Sequence, residues 1–176
     1  LEVGEPDFDT PDCVKAAACR ALDDGFTHYT HSLGMIELRE AICRHYHRKY
    51  GAVVDPDQVV VTSGTSPAMF MLFAALLEPG DKVIISDPHY ACYPNFIKYL
   101  DAEPVMVKVH EQDGFQYRPE EIAKKISDKT KAIFINSPSN PTGNILTESR
   151  MVEIAKFSPY VISDEIYHGL VYEGHA

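Results

Sequence analysis

The chain has 176 residues, 45% of them hydrophobic and 24% charged, a composition that fits an ordinary globular fold long enough for one domain with a sizeable core. No apolar run is long enough to cross a bilayer. With 16 Lys and Arg against 26 Asp and Glu, the formal charge of −10 disfavours a nucleic-acid or anionic-membrane surface as the main partner. It leaves room for a small phosphate ligand held by backbone donors.

Residues 12–24 carry apolar or small side chains at helical spacing and stop at Gly25, which predicts a first helix. A second is predicted over residues 35–50, closed by Gly51. The pattern then changes to strands alternating with helices. Residues 58–62 (QVVVT) read as a buried strand, 67–77 as an apolar helix and 82–86 as a strand. Residues 91–100 follow as a helix, 104–109 as a strand, 119–126 as a helix, 131–136 as a strand, 147–157 as a helix and 160–163 as a strand. Such alternation predicts an α/β fold with a largely parallel sheet.

Cys13, Cys19, Cys43 and Cys92 form no CxxC pair and three lie in predicted helices, so buried free thiols of a reducing cytoplasm are expected. His45 and His47, two apart on a predicted helix, point to different faces, and no metal site is expected there. Leu1 runs directly into GEPDFDTP without a basic or apolar leader, so no secretory signal is expected. The chain opens within an ordered-looking motif and closes on a strand-like HGLVYEG, which suggests a portion of something longer.

In a parallel α/β sheet, ligands collect beyond the carboxyl ends of the strands. Four such ends carry polar groups here. QVVVT runs into Ser63, Gly64, Thr65, Ser66 and Pro67, a turn with hydroxyls and backbone N–H groups at a positive helix end, suited to a phosphate. On its own such a turn is more often a plain helix cap. KVIIS runs into Asp87, Pro88, His89, Tyr90, Ala91, Cys92 and Tyr93, whose rings could stack on a planar ligand or simply pack under a loop. KAIFIN runs into SPSNPTG, where Asn140 stands between prolines that fix the backbone path. YVIS runs into Asp164, Glu165, Ile166 and Tyr167, and an aspartate leaving an apolar strand needs a cationic or hydrogen-bonding partner.

Taken in order, GEPDF, NSPSNPTG and ISDEIY resemble the class I/II aminotransferases of fold-type I. YTHSLGMIELREAI, VVVTSGTS, LLEPGDKV and DPHYACYP support the resemblance, which covers essentially the whole chain. It implies a three-layer α/β/α fold around a mostly parallel mixed sheet, the partial large domain of a pyridoxal-phosphate transferase. Residues 1–30 would be the N-terminal segment and the start of a small-domain or arm region. Residues 31–176 would be the partial cofactor-binding domain, ending before the catalytic lysine. The implied cofactor is pyridoxal 5'-phosphate, an electron sink that stabilises a carbanion next to a substrate amine. The implied reaction of the parent enzyme is transamination between an amino acid and a 2-oxo acid, by a homodimer in the cytoplasm.

By the same resemblance Asp164 would pair with the pyridine nitrogen and keep it protonated. Asn140 and Tyr167 would hydrogen-bond the phenolic oxygen of the ring, and Tyr90 would stack on its face. Thr65 and Ser66 would hold the phosphate, Tyr29 would reach the phosphate of the neighbouring subunit, and Gly4 would lie close to the substrate carboxylate.

One departure bears on catalysis. The family's lysine follows an aromatic-serine motif downstream of the SDEIY strand, and no such motif occurs here. Lys124, Lys125, Lys129, Lys131 and Lys156 fall in helix or strand-entry contexts, so no catalytic residue is assigned and the chain alone is not expected to transaminate. The family's arginines for cofactor phosphate and substrate carboxylate would lie beyond residue 176, and the segment between Lys156 and Tyr160 looks shortened. Pyridoxal-phosphate-dependent C–S lyases and decarboxylases share these motifs, and a non-catalytic ligand-binding module of the same fold is a further alternative. A serine hydrolase is disfavoured because Ala68 replaces the second glycine of GxSxG and Pro67 lacks the N–H an oxyanion hole needs. A nicotinamide dehydrogenase is disfavoured because neither GxGxxG nor GxxxxGK[ST] occurs.

Overall fold

The computed structural model of the chain describes residues 7–157 and 160–172, and the chain divides into two units, Leu1–Thr62 and Ser63–Ala176. In the first unit, α1 (Asp12–Asp23) carries Asp12 in its first turn and Arg20 in its last, charges that complement the helix dipole. All four cysteines are free as expected, but none is buried: Cys13 and Cys19 are exposed on α1, which buries no residue at all. The second helix, α2 (Ile36–Tyr50), ends where Gly51 turns left-handed at φ 67° and its N–H bonds the His47 carbonyl.

Arg39 of α2 is the buried charge of this unit, 5% exposed. Its guanidinium donates to the carbonyls of Gly34 (3.2 Å) and Pro56 (2.8 Å) and to Asp57 Oδ1 (3.1 Å), bonds that offset the cost of burying its charge. Those bonds anchor a single 3-10 turn, Pro56–Gln58, whose start is closed by a capping box between Asp55 and Gln58.

Residues 58–62, expected as a strand, are not one. Gln58 belongs to the 3-10 turn, and residues 59–62 do not form a strand, although Val61 N–H bonds the Leu33 carbonyl at 2.9 Å. An apolar run with β-branched residues favours extended backbone, but a strand also requires a hydrogen-bonded neighbour.

The second unit contains four strands, β1 (Lys82–Asp87), β2 (Glu103–Lys108), β3 (Thr130–Asn136) and β4 (Tyr160–Asp164), in the order β2-β1-β3-β4 with every ladder parallel. Its helices are α3 (Thr65–Leu76), α4 (Tyr93–Tyr99), α5 (Pro119–Ala123) and α6 (Glu148–Ile154). Alternation along the strands divides the core between two faces. Val83, Ile85, Ala132 and Phe134 pack with Met69, Phe73 and Leu77 from the α3 side and with Tyr93 and Ile97 of α4. Ile84, Val107, Ile133 and Ile135 face the other way, against Ile122 of α5 and Ile154 of α6. The result is the three-layer α/β/α arrangement. Burying each fully enclosed Ile or Phe contributes about 1.5–3 kcal/mol, so both faces are needed to hold the sheet.

The change of face follows from the strand order. The chain steps from β1 outward to β2, then returns past β1 to β3, and parallel crossovers of one hand put α4 on one face and α5 and α6 on the other. The strand ends of β1 and β3 therefore flank a topological switch point.

Candidate functional site

Beyond the carboxyl ends of β1, β3 and β4 lies a small recess of about 120 Å³, lined by Thr65, Met69, Tyr90, Tyr93, Asn136, Asn140, Asp164, Ile166 and Tyr167. Each segment delivers its side chains from a strand end or a helix start. β4 ends at Asp164, which is half-buried. Its Oδ2 accepts the Tyr93 hydroxyl at 2.7 Å and its Oδ1 accepts the Ile166 N–H at 3.1 Å. An ionised carboxylate has about four acceptor positions, so two such bonds leave capacity for a further donor. None of the ion pairs among the described residues involves Asp164.

The loop after β3 is built around Asn136. Its Oδ1 accepts the Asn140 N–H at 2.7 Å, and its Nδ2 donates to the Asp164 carbonyl at 3.0 Å. Ser137 N–H bonds the same carbonyl at 3.1 Å. One strand-end amide thus ties the Asn140 loop to the end of β4. The Thr142 hydroxyl bonds the Asn144 side chain, and the peptide bonds before Pro138 and Pro141 are cis.

Tyr90 is half-buried on the loop after β1, with its ring 5.3 Å from that of Tyr93 in an edge-on arrangement. Its hydroxyl titrates above the ordinary phenol range, chiefly because of its hydrogen bond with Cys92. Tyr93 is pushed up as well, by burial first and then by its bond to Asp164, so it keeps its proton and remains a donor.

The helix start was expected at Pro67 and is found at Thr65, after Gly64 at φ 102°. Pro67 is accordingly the third helical residue, still in the first turn where its missing N–H costs nothing. Thr65 lines the recess, while Ser66 stands exposed beside it and is not among the lining side chains. Tyr90, Asn140, Asp164 and Tyr167 line the same recess. Tyr29 belongs to the first unit, where it is fully exposed and borders a separate hollow of about 470 Å³ with His28, His31 and Arg39. Gly4 lies outside the described residues. Four lining residues were not assigned to the site from sequence: Met69, Tyr93, Asn136 and Ile166. Tyr93 was legible as the third residue after Tyr90, and Asn136 as the polar last residue of an apolar strand.

A larger hollow in the second unit, about 530 Å³, is lined by Asp87, Met106, Val107, Lys108, His110, Arg118, Glu121 and Lys125. Volume alone does not select it. It lies along β2, the outer strand, and takes only Asp87 from the end of β1 and nothing from β3 or β4. Two of its charges are already paired, Arg118 with Asp113 at 2.6 Å and Glu121 with Lys124 at 2.5 Å. The smaller recess is where strand ends of both crossing directions deliver acceptors, hydroxyls and an aromatic ring together.

Among the described residues no helix is long and apolar enough to cross a membrane. No group of three or more His, Cys, Asp or Glu among them could hold a metal ion.

Comparison with known proteins agrees with this fold. The chain is 45% identical over 99% of its length to the (5-formylfuran-3-yl)methyl phosphate transaminase of Methanocaldococcus jannaschii, of which it covers 45%. It is 42% identical over 98% of its length to the aspartate aminotransferase of Pyrococcus horikoshii, again covering 45% of that protein. In structure it matches the aspartate aminotransferase of Thermus thermophilus solved with maleate, at 41% identity and a TM-score of 0.95, over 98% of this chain and 46% of that one. An alanine aminotransferase from Pyrococcus furiosus matches at 38% identity and a TM-score of 0.92, over 96% of this chain and 44% of that one. The chain thus spans slightly less than half the length of these relatives. The family model described as aminotransferase class I and II matches residues 1–176, and the chain belongs to that family.

Proposed function

We propose that this chain is the cofactor-binding part of a pyridoxal-phosphate-dependent aminotransferase that moves an amino group between an amino acid and a 2-oxo acid. Relatives in the family are pyridoxal-phosphate-dependent enzymes. The single observation that carries the reading is Asp164, a half-buried carboxylate at the end of β4 that lines the recess with acceptor capacity left over. A protonated pyridine nitrogen is the kind of donor such a carboxylate favours.

The other residues fit the same group. Tyr90 offers a ring edge-packed on Tyr93, suited to cover one face of a planar heterocycle. Asn140 and Tyr167 supply polar side chains for the phenolic oxygen, and Asn136 holds the Asn140 loop in place. Thr65 and Ser66 begin a 12-residue helix, whose first N–H groups have no intrahelical acceptor and favour a phosphate. When bound, pyridoxal phosphate supplies an electron sink for charge developing next to the substrate amine. The work of this chain is to bind and orient. No lysine lines the recess among the described residues, so turnover is not assigned to them.

The reading keeps residues 31–176 as part of the cofactor-binding domain and residues 1–30 as an N-terminal segment leading into it. Assembly as a homodimer is supported by the complete exposure of Tyr29, which would serve a neighbouring subunit. A chain that sediments as a monomer at saturating cofactor, with affinity unchanged by Tyr29→Phe, would remove that support.

Titration of the purified chain with pyridoxal phosphate, followed by absorbance before and after borohydride reduction, tests the central reading. Saturable binding is expected, weakened about tenfold or more by Asp164→Ala because a hydrogen bond to a charged group is lost. No single lysine adduct should appear on reduction. Binding that is absent, or indifferent to Asp164→Ala, would overturn the proposal.

A further inference from the structure

The sequence offers Tyr93 only as a ring that could stack or pack, with no role of its own, yet it is the most deeply buried side chain around the recess. It opens α4 and is 2% exposed. Its ring centroid lies 4.4 Å from that of Phe134 on β3 and 5.3 Å from that of Tyr90, and Phe134 is backed in turn by Phe73 of α3 at 5.9 Å. A ring enclosed in this way has little rotameric freedom, so packing alone decides where its hydroxyl sits.

That hydroxyl donates to Asp164 Oδ2 at 2.7 Å, a well-formed O–H···O bond. The two residues stand 71 apart in the chain. If the core needed only an aromatic ring at this position, phenylalanine would supply it without the cost of burying a hydroxyl. The other carboxylate oxygen is held by the Ile166 N–H, so the two bonds together fix the plane of the carboxylate.

Resting on the reading of the recess as the cofactor site, we propose that Tyr93 is a positioning residue: its enclosed hydroxyl sets the direction in which Asp164 presents its remaining lone pairs to the pyridine nitrogen. Tyr93 acts through Asp164 and has no part of its own in the chemistry. It also sets polarity, because toward a carboxylate the phenol acts as the donor. The carboxylate is thereby left as the acceptor for an incoming N–H.

A double-mutant cycle separates this role from a merely structural one. The 176-residue chain, Tyr93→Phe, Asp164→Ala and the double variant are each titrated with pyridoxal phosphate, with the absorbance spectrum of the bound form recorded beside the dissociation constant. Tyr93→Phe is expected to weaken binding about tenfold, because a misdirected Asp164 carboxylate forfeits much of its charge-assisted bond to the ligand, and to shift the absorption band. Added to Asp164→Ala, it is expected to cost less than about twofold. An unchanged affinity and spectrum in Tyr93→Phe, or an equal loss in both backgrounds, would overturn the positioning role while leaving the cofactor site intact. An affinity indifferent to Asp164→Ala would instead overturn the reading of the recess, and this inference with it.

A second measurement needs no ligand. The side-chain carboxyl carbon resonance of Asp164, identified by its absence in Asp164→Ala, should move in ligand-free Tyr93→Phe. Should the Tyr93→Phe chain fail to fold, the hydroxyl proton of Tyr93 in the unchanged chain is expected to shift as pyridoxal phosphate is added. A stationary signal in either experiment overturns the proposal.

Discussion

Tyr117 illustrates what burial does to a single ionisable side chain. It is 3% exposed, and its hydroxyl donates to the Phe134 carbonyl at 2.9 Å. Burial pushes its phenol well above the ordinary range, because a phenolate would be stranded in an apolar core. The unfolded chain ionises this group near pH 10, whereas the folded chain does not. Its contribution to stability is therefore whole below about pH 10 and is lost as pH rises from there through the raised folded value. Tyr117→Phe should cost about 1 kcal/mol at pH 7, the worth of the hydrogen bond, and the gap to the unchanged chain should narrow above about pH 10. Urea unfolding at pH 7 and at pH 11 checks this, and a gap independent of pH would contradict it. At this scale the sequence was partly legible. Asp164, Asn140, Tyr90 and Tyr167 announced themselves as polar or aromatic residues just past apolar strands. Tyr117 did not, and Tyr93 stood out only as a ring, because nothing local distinguishes a phenol that packs from one that also holds a distant acceptor.

Among the elements, the turn before α2 depends on one glycine. Gly34 has φ 98°, and a Cβ placed there would meet Val61 Cβ and Cγ2 at 2.7 Å. The Val61 N–H bonds the Leu33 carbonyl at 2.9 Å, so the two segments cannot easily part. Gly51, at φ 67°, would meet nothing within 4 Å. Gly51→Ala should therefore cost about 1 kcal/mol through left-handed strain alone. Gly34→Ala adds overpacking to that strain and should cost about 2–4 kcal/mol. Thermal unfolding of the two variants tests the difference, and equal losses would show that Val61 moves aside freely. This contact also explains why residues 58–62 were misread as a strand. Their composition favours extended backbone, which is a local property, but ladder pairing depends on what lies alongside. The helices were read nearly correctly, with ends moved by a few residues, because their periodicity and their Gly and Pro boundaries are local too.

At the scale of the molecule, α3 is the element whose sequence is apolar all round. It buries Met69 and Phe73 but leaves Phe70, Met71 and Leu72 about two-fifths exposed, with Phe70 set 5.2 Å from the ring of exposed Tyr99. β4 is the edge of the described sheet, with β3 as its one ladder neighbour. An apolar helix face and an edge strand both invite association. The chain should self-associate with rising concentration. Met71→Glu with Leu72→Glu should weaken that association about thirtyfold, since each removes roughly 1 kcal/mol of apolar burial. Sedimentation across a concentration series would show it, and unchanged association would exclude α3 from the contact. The strand–helix alternation, the turn chemistry of SPSNPTG and the polar residues at the strand ends were determined by the sequence itself, because periodicity and backbone preference act between near neighbours. Which ends meet was decided only by the tertiary structure. The order β2-β1-β3-β4 creates the switch point, and it brings Tyr93 to Asp164 across 71 residues, because pairing between strands depends on their places in the sheet and not on their own patterns.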